Sequence, residues 1–187
     1  EQAHERATRS NAMATCFYHV FRGLSACLFD DGAALLAHSS AATSLTDVIS
    51  AFYPTALIRF LSAMSAAYQL RATNGSDGGA RSALQAQLDT AADWLGARAA
   101  DAPSNFAALH ALVDAERLDI DGKPWEAMQA FERAIGLAHR RAWHCALANE
   151  RLGLFLLRRG LDTYAHRTLA RALGLYRDWG AQGKVCQ

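Results

Sequence analysis

Apolar positions recur at three- and four-residue intervals along almost the whole chain, the mark of helices that bury one face. Phe17, Val20, Phe21, Leu24 and Leu28 form one face of a first segment, expected from about Ala3 to Phe29 and broken by Asp30-Asp31-Gly32. A shorter helix is expected from Ala33 to Ala42. Thr43-Ser44-Leu45-Thr46-Asp47 then supplies capping side chains for a helix reaching Arg71, and Pro54 marks where that helix starts or restarts. The stretch from Ala72 to Gly79 reads as a loop. Leu84, Leu88, Ala92 and Leu95 carry a helix from Ala80 to Ala100, and Asp101-Ala102-Pro103-Ser104 ends it and caps a successor reaching Asp121. Gly122-Lys123-Pro124 is a tight turn into a helix that ends near Arg140. A last pair, Trp143 to Arg159 and Leu161 to Trp179, meets at Gly160. No alternating pattern competes, so the chain is expected to be all-α with about eight helices.

Short turns between helices of similar length invite a search for a period. Counted from Gly122, the offsets five, nine and twelve give Ala127, Phe131 and Ala134; from Gly160 they give Ala165, Leu169 and Ala172. Seven before each turn stand Ala115 and Gly153, and four before stand Leu118 and Leu156. The two turns are 38 residues apart. Packing supplies the reason for this spacing, because two antiparallel helices approach closely only where a small residue on one admits a large one from the other. The small residues seven before and five after each turn are expected to face each other, with the residue nine after as the knob. The pattern is that of tetratricopeptide-like hairpins stacked as a superhelix, each burying its faces only against its neighbours. With Gly32 as the turn, the N-terminal half fits poorly, giving Ala37 and Ala41 after it but Ser25 and Leu28 before it. Residues 1–71 are therefore read as degenerate helical hairpins, 72–79 as a flexible loop and 80–187 as one continuous repeat array.

A more specific likeness appears in the second half. Pro103-x-Asn105-Phe106, Leu112-Val113-x-Ala115-Glu116, Ala134-Ile135-x-Leu137-Ala138, Ala146-Leu147-Ala148-Asn149-Glu150 and Ala172-x-x-x-Tyr176-x-x-Trp179-Gly180-Ala181-x-x-Lys184-Val185 stand in order. Together they resemble the helical-repeat region of large bacterial signalling proteins. In those proteins a serine/threonine-kinase-like domain precedes an AAA-type (STAND-like) ATPase, the repeats come next, and a GAF domain and usually a sensor histidine kinase come after. The likeness covers Pro103 to Val185, and Trp179-Gly180-Ala181-x-x-Lys184-Val185 is its most specific piece. Cys145, Arg151 and Thr168 depart from the family pattern. The resemblance implies a helical segment just before the GAF domain, with the ATPase and kinase residues elsewhere in the parent protein.

Composition narrows the picture further. The chain is 51% hydrophobic, but alanine supplies much of that share, which favours close helix contacts over a thick core. Nineteen basic residues against eighteen acidic ones leave a net charge of +1, so nothing in the total argues for nucleic acid or an anionic membrane. The basic clusters at Arg140-Arg141, Arg158-Arg159 and Arg167/Arg171 read as solvated helix faces. Cys16, Cys27, Cys145 and Cys186 are far apart and lack metal-ligand spacing, as expected of buried free thiols in a reducing cytoplasm.

Catalytic chemistry finds no footing. Gly75 to Gly79 lacks the Lys-Ser/Thr of a phosphate loop, and no nucleophile elbow or zinc-protease motif occurs. His139 and His144, five apart, fall on different faces, and His110 and His166 read as surface groups. Glu116 is expected to be buried with Arg151 or Arg117 as its partner, and Asn149-Glu150 forms a second polar spot. These residues, with Tyr176 and Trp179, either fix helix register or line a groove. Trp94, Trp125, Trp143, Tyr164, Tyr176 and Trp179 fall mostly at helix starts or ends and read as wedges between repeats or, for some, as the lining of a concave peptide groove; the sequence leaves both open. The expectation is a non-catalytic, cytoplasmic protein-interaction and signal-relay module of a bacterial multidomain sensor kinase or ATPase, needing no cofactor or metal. Its partners would be the flanking domains of its parent chain or another signalling protein, and an open repeat end would allow homodimers. The alternative is a ligand-sensing helical domain that holds a small molecule or peptide between its helices, with Phe17, Tyr18, Phe52 and Tyr53 about the pocket.

Overall fold

The computed structural model describes residues 11–50, 52–72, 78–138 and 141–187, and over these it contains helices and no strand. Nine α-helices are seen among the described residues: α1 (Ala12–Leu28), α2 (Gly32–Ser44), α3 (Pro54–Ala72), α4 (Gly78–Asp101), α5 (Pro103–Ile120), α6 (Pro124–Leu137), α7 (Ala142–Arg158), α8 (Asp162–Trp179) and the short α9 (Gln182–Val185). The all-α class with about eight helices is what the structure shows. The three prolines, Pro54, Pro103 and Pro124, each open a helix. At that position the missing N–H would have had no intrahelical partner.

Several boundaries differ from the sequence reading. The first helix starts at Ala12, where the Asn11 side chain accepts a hydrogen bond from the Ala14 N–H at 3.1 Å; residues 3–10 lie outside the described residues. Thr46–Ile49 forms a 3-10 turn, so the next helix restarts at the proline, and the Thr55 hydroxyl donates to the Ile49 carbonyl at 2.6 Å to fix the junction. Of the expected loop, residues 73–77 lie outside the described residues, and Gly78 and Gly79 already belong to α4. Helix α6 ends at Leu137, with residues 139–140 outside the described residues.

The chain divides into two compact units, Glu1–Trp94 and Leu95–Gln187, and the boundary falls inside α4. In the first unit α1 and α2 form a hairpin and α3 packs against both. Helix α3 is apolar nearly all round, with Leu57, Ile58, Phe60, Leu61, Met64 and Leu70 buried, as a central helix must be. In the second unit the hairpins α5/α6 and α7/α8 pack on each other, and α9 lies on α8. The Phe131 and Phe155 rings meet between the hairpins at 5.4 Å. Ala108, Ala138 and Cys145 cluster with Leu175, joining all four helices through small side chains.

Both hairpin turns of the second unit have the same geometry. Gly122 and Gly160 adopt positive φ, 72° and 71°, and the next N–H reaches back to the carbonyl five residues earlier: Lys123 to Leu118 at 2.9 Å and Leu161 to Leu156 at 3.0 Å. The first unit repeats it with Asp30, at φ 56°, where Asp31 N–H reaches Ala26 at 2.9 Å. The turn residue of this hairpin is thus Asp30 and not Gly32. Counted from Asp30, Gly23 and Ala26 stand seven and four before, and Leu35, Ser39 and Ala42 stand five, nine and twelve after; all five are buried. A Cβ on Gly153 would sit 2.6 Å from Leu169 Cγ, and one on Gly23 would sit 3.8 Å from the Ser39 backbone nitrogen. In the α7/α8 hairpin the residue seven before the turn thus lies against the side chain nine after it, so Leu169 enters the gap left by Gly153 directly. In the first hairpin the gap at Gly23 is met at 3.1 Å by Leu61 Cδ1 from α3, and Ser39 approaches only through its backbone.

The other packing positions, Ala115, Ala127, Phe131, Ala134, Ala165 and Ala172, are buried, while Gly122 and Gly160 are exposed at their turns. Cys16, Cys27 and Cys145 are buried free thiols, but Cys186, expected buried, is exposed. Burial raises the Cys16 thiol above its ordinary pKa. Among the described residues no helix is long and apolar enough to cross a membrane.

Candidate functional site

Helices α5 and α7, the first members of the two C-terminal hairpins, run parallel and are pinned at three levels by polar side chains. Near their starts Arg141 Nη2 donates to Asn105 Oδ1 at 2.9 Å. At mid-length Arg151 donates to Glu116 from Nε at 2.7 Å and from Nη2 at 3.3 Å. Near their ends Arg158 and Arg159 grip the two oxygens of Asp119 at 2.9 and 2.7 Å. These pairs are 36, 35, 39 and 40 residues apart in sequence, close to the spacing between the two turns. Equivalent stretches of successive hairpins therefore face each other, and arginines of the second hairpin answer acceptors of the first.

Glu116 is fully buried, and of its two candidate partners Arg151 is the one that forms the ion pair. Arg117 instead pairs with Asp114 at 2.8 Å. Arg158 and Arg159, read as a solvated face, turn out to hold Asp119, and Arg159 also lies 5.3 Å from the centre of the Phe155 ring.

A second polar group closes the C-terminal end. Tyr176 donates its hydroxyl hydrogen to Glu150 Oε2 at 2.7 Å, and the Lys184 ammonium reaches Glu150 Oε1 at the same distance while lying 5.8 Å from the Tyr176 ring centre. Gly180, at φ 85°, turns the chain so that Lys184 comes back over α8. The Tyr176…Trp179-Gly180-Ala181-x-x-Lys184 string thus works here as a helix stop and a side-chain clamp. Asn149 is buried and donates to the Cys145 carbonyl at 2.8 Å. Of the residues considered for a groove, Glu116, Asn149, Glu150 and Tyr176 spend polar atoms on internal partners, whereas Trp179 is 42% exposed.

Histidines sit in two unusual settings. His144 is 3% exposed, and neither ring nitrogen has a hydrogen-bond partner among the described residues. Burial, and secondarily the nearby Arg141 charge, lowers its pKa to about 4, so the ring stays neutral. His139 lies outside the described residues. Between α1 and α2, His19 and His38 approach Nδ1 to Nδ1 at 3.0 Å beside Tyr18, so one imidazole must donate and the other accept. Sequence reading did not join them, since nothing in a 19-residue separation signals contact. Among the described residues no three His, Cys, Asp or Glu side chains gather as metal ligands would.

Two grooves stand apart from these polar clusters. One of about 340 Å³ lies in the second unit among Met128, Leu152, Leu156, Leu161 and Tyr164, with Glu132 at its side. The larger, about 660 Å³, lies in the first unit between α2, α3 and α4. Ser39, Ser40, Thr43, Ser44, Ser62 and Thr90 bring hydroxyls to it, and among the described residues Arg59 is the one charged residue of its lining. Phe17, Tyr18, Phe52 and Tyr53 do not line it; the last two are exposed. Comparison with protein-family models, curated proteins and solved structures yields no match for this chain.

Proposed function

We propose that this chain is a non-catalytic protein-interaction and signal-relay module built from tetratricopeptide-like hairpins, working in the cytoplasm within a bacterial multidomain sensor kinase or ATPase. The observation that carries this reading is the recurrence of one hairpin design. A left-handed turn residue with a small residue seven before it occurs at Asp30, Gly122 and Gly160, and the latter two add a large residue nine after, Phe131 and Leu169. Repeated hairpins present side chains on successive equivalent helices, and a change at one hairpin passes to the next through their shared seam. In the second unit that seam is polar and directional, so sliding α5 against α7 would strain Arg141–Asn105, Arg151–Glu116 and Arg158/Arg159–Asp119 together.

The test is capture of the domains that flank this segment in its parent protein, with and without ATP. Capture that depends on nucleotide is the expected result, and removal of the segment should uncouple kinase output from ATP. Equal output with and without the segment would overturn the relay.

A further inference from the structure

We propose that the groove between α2, α3 and α4 binds a small hydroxylated organic anion, its acidic head on Arg59. This goes beyond the interaction reading and does not depend on it.

The starting point is an uncompensated cation. Arg59 projects from α3, a helix buried nearly all round, and its Nε is buried without a hydrogen-bond partner; among the described residues Arg59 makes no hydrogen bond or ion pair. Buried donors are nearly always satisfied, and a guanidinium fits a carboxylate or a phosphate with its planar fork. Among the described residues no Asp or Glu lines the groove, so the anion must come from outside this lining. One turn further along α3, Ser62 accepts the Gln87 side-chain N–H at 3.0 Å. Its own hydroxyl hydrogen is left to give, which places a second donor next to Arg59 on the same helix face.

The rest of the wall selects the body of the ligand. Thr43, Ser44 and Thr90 donate their hydroxyl hydrogens to carbonyls of their own helices at 2.8, 2.9 and 2.7 Å, and Ser39 does so at 3.3 Å. Each oxygen keeps lone pairs with no hydrogen to offer, so these positions accept and do not donate. A matching ligand brings donors of its own. Hydroxyl groups serve, whereas an ammonium would meet the Arg59 charge with no carboxylate in the lining to balance it. Ala83, Ala86 and Ala91 add a shallow apolar wall suited to a carbon skeleton. The volume lies within the range of small-molecule sites. A sugar acid and a sugar phosphate share this chemistry.

Titration calorimetry on the full chain separates the outcomes, using gluconate, glucose 6-phosphate, glucose and inorganic phosphate as probes. Gluconate or glucose 6-phosphate should bind at least tenfold more tightly than glucose, and the stronger of the two identifies the head as carboxylate or phosphate. Arg59→Gln should weaken that binding by about ten- to a hundredfold, the usual worth of a charge-assisted hydrogen bond, while thermal melting shows the variant folded. Thr43→Val should weaken the hydroxylated anion several-fold and leave inorganic phosphate unchanged. Glucose binding as tightly as either anion, inorganic phosphate binding as tightly as glucose 6-phosphate, or no binding of either organic anion at millimolar concentration would each overturn the proposal. Failure to capture a flanking domain bears on the relay alone.

Discussion

Arg151 holds both carboxylate oxygens of Glu116 across the gap from α7 to α5, from Nε at 2.7 Å and Nη2 at 3.3 Å, with almost no solvent at either side chain. Such a pair roughly balances desolvation against attraction while both members are present, but removing one leaves a buried charge alone. Glu116→Gln or Glu116→Ala is therefore expected to destabilise the second unit by about 3–5 kcal/mol. The double variant Glu116→Leu/Arg151→Met, which empties the site of charge, should fall within about 1–2 kcal/mol of the parent. Urea denaturation of the parent, the single and the double variants decides it. A double variant as unstable as the single one would mean that the pair contributes more than the cost of burying it.

Three glycines of one unit should respond to the same substitution with different signs. Gly153→Ala places a methyl 2.6 Å from Leu169 Cγ and 3.4 Å from the Leu169 backbone nitrogen, so the hairpin must open; a loss of about 1–3 kcal/mol is expected. Gly160→Ala forces alanine to φ 71° and should cost about 1 kcal/mol without any clash. Gly136 lies within α6 with nothing within 4 Å of a built Cβ, so Gly136→Ala should add about 0.5–1 kcal/mol. Melting temperatures should rank Gly136→Ala above the parent, then Gly160→Ala, then Gly153→Ala. A neutral Gly153→Ala would show that the α7/α8 contact is looser than these distances require.

The hairpins of the second half are legible in the sequence because glycine marks their turns and alanine or glycine marks their close contacts. The first hairpin is displaced by two residues in the sequence reading because Asp30, and not a glycine, takes the left-handed turn there. Aspartate tolerates that conformation better than most side chains, and a search keyed to glycine passes over it. Re-registering on Asp30 turns a poor match into five buried positions. The Glu116–Arg151 pair is foreseeable, since a carboxylate in an apolar hairpin demands a cation. The Asp119 clamp is not, because Arg158 and Arg159 carry no mark that separates a bridging arginine from a solvated one. Arg59 does carry a signal in the sequence: a charge between Ile58 and Phe60 in the body of a largely apolar helix whose other charge, Arg71, stands in the last turn.

Truncating the Glu150 cluster tests whether the C-terminal string is a clamp. Tyr176→Phe removes only the hydroxyl bonded to Glu150 and should cost about 1 kcal/mol. Lys184→Met keeps the aliphatic stem over Tyr176 and removes the charge. Because both act on one carboxylate, the double variant should lose less than the sum of the singles, with a coupling of about 0.5–2 kcal/mol. Strict additivity in a double-mutant cycle would mean that Lys184 and Tyr176 do not share Glu150 in solution.

His144 gives the fold a specific sensitivity to acid. Its pKa falls from 6.5 in the unfolded chain to about 4 in the folded one, through burial first and the Arg141 charge second. Between those values the unfolded chain binds the proton and the folded chain does not, so lowering the pH favours unfolding. The stability associated with the neutral ring is complete above pH 6.5 and is lost progressively as the pH drops to 4, by about 3 kcal/mol at most. His144→Leu removes the titration and also removes two ring nitrogens that lack partners among the described residues, so the variant should equal or exceed the parent at pH 7.5. Its advantage should then grow as the pH is taken from 7 to 4.5. Parallel stability curves for the two proteins across that range would show that His144 is protonated in the folded state and not held neutral as its surroundings require.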